Sequence, residues 1–196
     1  LKRNIDWQPV ISSIPATLAF WALAGLLFAV DSQSEHSSPA ATFMMKLFSR
    51  AGDTLSMAGL CLLLVIIPRS RHTIALSVCV TVALSSVVYI LLKIFFTTQP
   101  ITFAQMFLAS HNAFPSGHAI NNAALYTMLT IQTNVYIING RRKVLLSAAF
   151  MLLAMAIGYC RVYLGFHSNV DVLGGWIIGF VLAYLVFLLC PRPLRQ

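Results

Sequence analysis

Apolar residues fall in long blocks along this chain, without the strict alternation of a half-buried strand. Six blocks can be read: Ile11–Val30, Thr54–Ile67, Ile74–Phe96, Ala119–Ile138, Val144–Tyr159 and Val170–Leu189. A helix crossing the hydrocarbon core of a bilayer needs about 20 residues, with a range of roughly 17–25. Thr54–Ile67 falls short of this and is expected to borrow part of Met44–Ser49 or to sit at an angle. Pro68 and Pro191 punctuate the ends of two blocks, where a missing N–H and a fixed φ stop a helix. Open strands cannot cross lipid, because their edges leave backbone groups unpaired. The blocks therefore predict an all-α polytopic membrane protein, a six-transmembrane-helix bundle forming a single domain over residues 1–196. Asp31–Ser38 reads as a polar loop. Ala40–Arg50 has the spacing of a short amphipathic helix at the membrane surface.

Composition strengthens this picture. Hydrophobic residues make up 59% of the chain and charged residues only 9%, where a soluble domain carries about 25% charged. Mean hydropathy is +0.82. Net charge is +8, but the basic residues are scattered between apolar blocks and form no nucleic-acid stripe. Their distribution instead sets orientation. Lys2, Arg3, Arg69, Arg71, Arg141, Arg142, Lys143, Arg192 and Arg195 fall on one side, and Lys46, Arg50, Lys93 and Arg161 on the other. Basic loops stay inside, so both termini are expected in the cytoplasm. Ile11–Val30 is too long for a signal-peptide core and is read as a retained span. Cys61, Cys79, Cys160 and Cys190 form no CxxC pair. They are read as free thiols, which gives no support for a zinc or redox motif.

Three polar segments gather at block ends on the outer side. They are Lys93–Pro100, Phe114–Ala119 and Arg161–Asp171. Each suits phosphoryl transfer, whose transition state spreads negative charge over three equatorial oxygens. Ser116 and Gly117 open a helix, where free N–H groups and the positive dipole end face an anion. Gly117 also permits close backbone approach. Arg161 offers a planar fork for two phosphate oxygens and Lys93 a point charge. No dense carboxylate cluster points to a metal ion, and no cofactor is expected. His167 and Asp171 are four residues apart, one turn of helix. A carboxylate on one imidazole nitrogen fixes the tautomer and frees the other as nucleophile. His118 is then available to protonate the leaving oxygen.

These residues resemble the type 2 phosphatidic acid phosphatase superfamily. Its pattern has Lys with a downstream Arg-Pro, then Pro-Ser-Gly-His, then Ser-Arg followed by a spaced His and Asp. The second part matches fully at Pro115–His118. The third matches at Arg161, His167 and Asp171, with Cys160 in place of Ser. The first departs: Gln99 stands where Arg is usual, and the Lys-to-Pro spacing is one residue short. The resemblance implies His167 as nucleophile, Asp171 as its partner, and His118 as general acid. It implies phosphate binding by Ser116, Gly117 and Arg161, with Lys93 and Gln99 completing the set.

Plainer readings stand beside these. Lys93 has the placement of a snorkelling helix-end lysine. Asp171 has that of a helix cap, although its spacing to His167 favours the pair. For Asp53, at the start of the second block, helix capping is the simpler account. Asn121, Asn122, Thr127, Thr130, Gln132 and Thr133 make the fourth block polar. Interhelical hydrogen bonding is the default for most of them, while Asn121 and Asn122 lie one turn from His118. His111 and Asn112 precede the second motif in a loop, and Arg141–Lys143 reads as a topology anchor.

The expected function is metal-independent hydrolysis of a membrane lipid phosphate or diphosphate through a phosphohistidine intermediate. Polyprenyl diphosphate, phosphatidylglycerophosphate, phosphatidate and lipid A phosphate all present the required group. The expected setting is a bacterial inner membrane with the site facing the periplasm or exterior. A lipid phosphotransferase using the same site is the main alternative, ahead of a transporter or scaffold.

Overall fold

The computed structural model describes residues 38–66, 72–96, 114–137 and 139–190, together with Pro15, Thr17 and Ala19. Six helices are seen among the described residues, and no strand. They are α1 (Pro39–Ala51), α2 (Thr54–Ile66), α3 (His72–Phe96), α4 (Gly117–Tyr136), α5 (Gly140–Tyr163) and α6 (Asn169–Leu189). The expected span Ile11–Val30 lies outside the described residues except at three helical positions. One of these, Thr17, is buried and accepts a 3.4 Å hydrogen bond from Tyr184 of α6.

Local signals place the helix starts. Ser38 caps α1 by accepting from Ala41 N, with Pro39 in the first turn. There its missing N–H costs nothing. Ser116 caps α4, Asn139 caps α5 and Ser168 caps α6. The α5 and α4 starts thus lie a few residues ahead of the apolar blocks, because polar capping residues begin the helix before its first lipid-facing side chain.

α3, α5 and α6 are long and apolar enough to cross a membrane, and the protein is an integral membrane protein. α1 and α2 meet that test only as a pair, bent by 47° at the Gly52–Asp53 turn. Leu63, Leu91, Leu152, Ile177 and Leu188 are among the apolar side chains that α2, α3, α5 and α6 leave exposed. Bilayer tails suit such side chains.

α4 is different. It packs against α6, α5 and α3, and nearly every residue from Ala119 to Thr133 is buried. Its polarity is therefore internal. Gln132 Nε2 donates to Ser77 Oγ of α3 at 2.6 Å, and Asn134 Nδ2 to Ser147 Oγ of α5 at 3.2 Å. These cross-helix bonds are what a polar helix inside a bundle is expected to make. The α4–α6 contact is close because Gly175 and Gly179 form a small-xxx-small face. A Cβ at Gly175 would lie 2.7 Å from Ala119 Cβ and 2.9 Å from Ser116 O.

Chain direction then puts one set of helix ends together. The ends of α3 and α5 and the starts of α2, α4 and α6 share one end of the bundle, joined by the contacts described next. Arg141 and Arg142, at the start of α5, are exposed at the other end.

Candidate active site

Two of the three sequence motifs are tied by main chain. Ser116 N donates to Asp171 O at 3.1 Å, so the N-terminus of α4 abuts the first turn of α6. Ser116 is fully buried, and its hydroxyl accepts from Ala119 N at 3.5 Å. That makes Ser116 the helix cap as well as the expected phosphate ligand. Gly117 sits where a Cβ would press on the Tyr89 ring of α3 at 2.8 Å, so only glycine brings α3 this near the helix start.

The α5–α6 loop is wound on Arg161. Phe166 N and His167 N both donate to Arg161 O, at 3.0 and 3.2 Å. The guanidinium lies 4.4 Å from the centre of the Phe166 ring, a distance at which a cation and a π face attract. Arg161 is 5% exposed. Its Nη1 donates to Ser49 Oγ of α1 at 2.9 Å, while its buried Nε has no hydrogen-bond partner among the described residues. A buried, incompletely satisfied guanidinium is costly on its own, and an anion would complete it. Lys93 is likewise buried, with Nζ 5.8 Å from the Tyr89 ring.

His167 and Asp171 are brought together but stop short of a hydrogen bond. His167 Nδ1 is 3.7 Å from Asp171 Oδ2, beyond the usual 2.7–3.2 Å range. The reason is local. Asp171 Oδ2 accepts from Ser168 N at 2.9 Å, and Ser168 Oγ accepts from Asp171 N at 3.3 Å. This reciprocal capping box holds the carboxylate at the start of α6. Asp171 is thus a cap that also stands beside His167, and the two readings of its spacing coexist. Burial pushes the His167 imidazole down to about 4. Arg161 pushes the same way, Lys93 and His118 add to it, and Asp171 opposes them. His167 is therefore neutral at physiological pH, the state a nucleophile requires.

His118 has a partner the motifs do not contain. Its Nε2 lies 2.8 Å from Asp53 Oδ1. Asp53 belongs to the α1–α2 turn, and its side chain faces His118 where capping of α2 was the expectation. Asn122 secures the arrangement. Its Nδ2 donates to His118 O at 2.8 Å and to Gly52 O at 3.2 Å. Ser49, Asp53 and Asn122 thus form a supporting layer that sequence reasoning missed or left open. The available signal was an acidic residue at the edge of an apolar run. Cys160, where the family pattern has Ser, is buried with its Sγ 3.4 Å from Met45 Sδ of α1. Gln99, His111 and Asn112 lie outside the described residues.

Comparisons with known proteins bear on the family and the fold. A family model described as the PAP2 superfamily matches residues 74–193. The Bacillus subtilis (strain 168) protein named phosphatidylglycerophosphatase B is 35% identical over 86 residues, covering 43% of this chain and 42% of that protein. The chain thus matches less than half the length of that relative. Two solved structures share the fold. One is the transmembrane PAP2 type phosphatidylglycerolphosphate phosphatase from Bacillus subtilis, with a TM-score of 0.64 at 21% identity over 91% of this chain and 86% of the other. The second is Aquifex aeolicus LpxE, with a TM-score of 0.57 at 21% identity over 87% and 93%.

Proposed function

The chain belongs to the PAP2 superfamily, and on that premise we propose that it is a membrane phosphatase hydrolysing a lipid phosphate or diphosphate through a phosphohistidine on His167. The observation that carries the proposal is the convergence of neutral His167, Arg161, Lys93 and His118 at the capped start of α4. Two cations and a helix N-terminus suit an anion whose charge grows in the transition state.

His167 Nε2 attacks phosphorus while Nδ1 faces Asp171. The Arg161 fork and Lys93 hold the non-bridging oxygens, and Gly117 brings main chain close. Gln99, outside the described residues, is assigned to the phosphate set from its place in the sequence alone. His118 gives its proton to the leaving oxygen, then takes one from the water that cleaves the phosphohistidine. Because side chains supply the positive charge, the reaction runs without metal and survives EDTA.

Six spans complete the bundle: Ile11–Val30, the α2 segment, α3, α4, α5 and α6. Both termini lie in the cytoplasm and the site faces outward, as the basic residues require. A bacterial inner membrane fits this arrangement. Phosphatidylglycerophosphate, lipid A phosphate, phosphatidate and polyprenyl diphosphate are the substrates to compare. Similarity to the Bacillus subtilis phosphatidylglycerophosphatase puts phosphatidylglycerophosphate first.

The test is a panel of these lipids in detergent, with and without EDTA, on wild type and His167→Ala. Release of inorganic phosphate without an acceptor lipid, lost in His167→Ala, is expected. Phosphate that appears only on a second lipid would make the protein a phosphotransferase instead.

A further inference from the structure

Asp53 lies outside the matched residues 74–193 and outside the three motifs. Its carboxylate nonetheless reaches His118, 65 residues away in sequence, at 2.8 Å. That distance is typical of a charge-assisted hydrogen bond. The bond to His118 holds the Asp53 carboxyl below the ordinary carboxylate range; partial burial opposes it, and Arg161 and Arg50 reinforce it. The carboxylate is therefore ionised in the range where a phosphatase works.

We infer that Asp53 is a positioning residue for leaving-group protonation, binding His118 at Nε2 and assigning proton delivery to Nδ1. This rests on the reading of His118 as general acid. Three contacts fix Asp53 for the task. Gly52 O accepts from Asn122 Nδ2, and the same amide reaches His118 O, so one side chain sets the distance between turn and helix. Ser56 Oγ donates to Arg50 O at 2.7 Å and closes the turn from the α2 side. Ser49, one helical turn before Asp53, accepts from Arg161. The α1–α2 elbow thus touches both the proposed acid and the phosphate-binding arginine.

The proton accounting is explicit. His118 begins as imidazolium with both nitrogens protonated. Nε2 keeps its hydrogen and donates it to the Asp53 carboxylate. Nδ1–H passes to the leaving oxygen as its P–O bond breaks and the P–N bond to His167 forms. In the second half, neutral Nδ1 takes a proton from water as the water oxygen bonds phosphorus and the P–N bond breaks. Asp53 carries no proton at either stage; it orients the ring and stabilises its positive form, as a carboxylate does for a catalytic histidine.

A plain surface ion pair at this site would give no more than a small stability effect. Leaving-group chemistry separates the two roles. The experiment measures kcat/KM on phosphomonoesters of graded leaving-group acidity, from nitrophenyl to simple alkyl, for wild type, Asp53→Asn, Asp53→Glu and His118→Ala. Loss of a general acid costs roughly 10²–10⁴-fold and falls on the poorest leaving groups. Asp53→Asn is expected to lose about 10–100-fold on alkyl esters and little on nitrophenyl phosphate, with Asp53→Glu recovering toward wild type. Equal losses across the series, or none, would overturn the inference. Should His118→Ala discriminate between leaving groups while Asp53→Asn does not, Asp53 alone is excluded. Should His118→Ala treat all leaving groups alike, the general-acid reading itself fails.

Discussion

Ser116 donates its backbone N–H to the carbonyl of Asp171 at 3.1 Å. This single bond locks the start of α4 to the start of α6. It sets the helix that carries His118 against the turn that carries His167. The Gly175–Gly179 face permits the approach, since any side chain at Gly175 meets Ala119 and the Ser116 carbonyl. Packing and the proposed catalytic geometry are thus coupled through one helix pair.

The first prediction follows from that coupling. Gly175→Val is expected to cost about 1–3 kcal/mol through overpacking and to lower activity further by moving Ser116 from Asp171. Thermal unfolding in detergent and turnover of the same preparation check both effects. An unchanged melting temperature with full activity would show that the α4–α6 spacing is not set there.

Arg161 supplies the second. Its Nη1 is engaged by Ser49 and its buried Nε awaits a partner. Arg161→Lys keeps the charge but loses the fork. A loss of about 10²–10³-fold in kcat/KM is expected, the scale seen for one transition-state donor. Ser49→Ala, which removes only the hydroxyl that holds the guanidinium, is expected to lose far less. Steady-state kinetics on a short-chain lipid phosphate distinguish the two.

The third concerns pH. Burial and neighbouring cations depress His167 to about 4, below the ordinary histidine value near 6.5. The unfolded chain therefore binds more protons between those values. His167 costs nothing to stability above pH 6.5, and destabilises progressively as pH falls from there toward 4. Activity should follow the folded value: the acidic limb of kcat/KM is expected near pH 4. A limb near 6.5 would mean that the nucleophile is not buried as the structure has it.

How much of this was legible in the sequence depends on range. The helices were visible because a lipid-facing helix writes a long apolar block, and motif residues such as His118 and Arg161 stood out at block ends. Asp171 was legible as a partner of His167, but the capping box that draws its carboxylate onto Ser168 was not anticipated, because two local bonds compete for one oxygen. Asp53 was hidden for a different reason. Its partner is remote in sequence, and an acidic residue before an apolar run looks like a cap until the fold brings α4 beside it. Asn122 was ambiguous because buried amides of packing and of positioning look alike; here its one Nδ2 serves two carbonyls.

That observation gives the fourth prediction. Asn122→Leu removes the bridge between Gly52 and His118 and takes from the buried Gly52 carbonyl its amide donor, a penalty of roughly 1–3 kcal/mol. The protein is expected to melt lower and to lose leaving-group protonation along with the Asp53 contact. Normal stability together with wild-type activity would remove Asn122 from the account.

The central claim is that His167 carries the phosphoryl group. The direct measurement is rapid acid-free quenching of enzyme mixed with lipid phosphate labelled in the phosphoryl group, followed by mapping of the protein-bound label. An alkali-stable, acid-labile adduct on His167, absent from His167→Ala, is the predicted result. Phosphate release at normal rate from His167→Ala, or label on another residue, would contradict it.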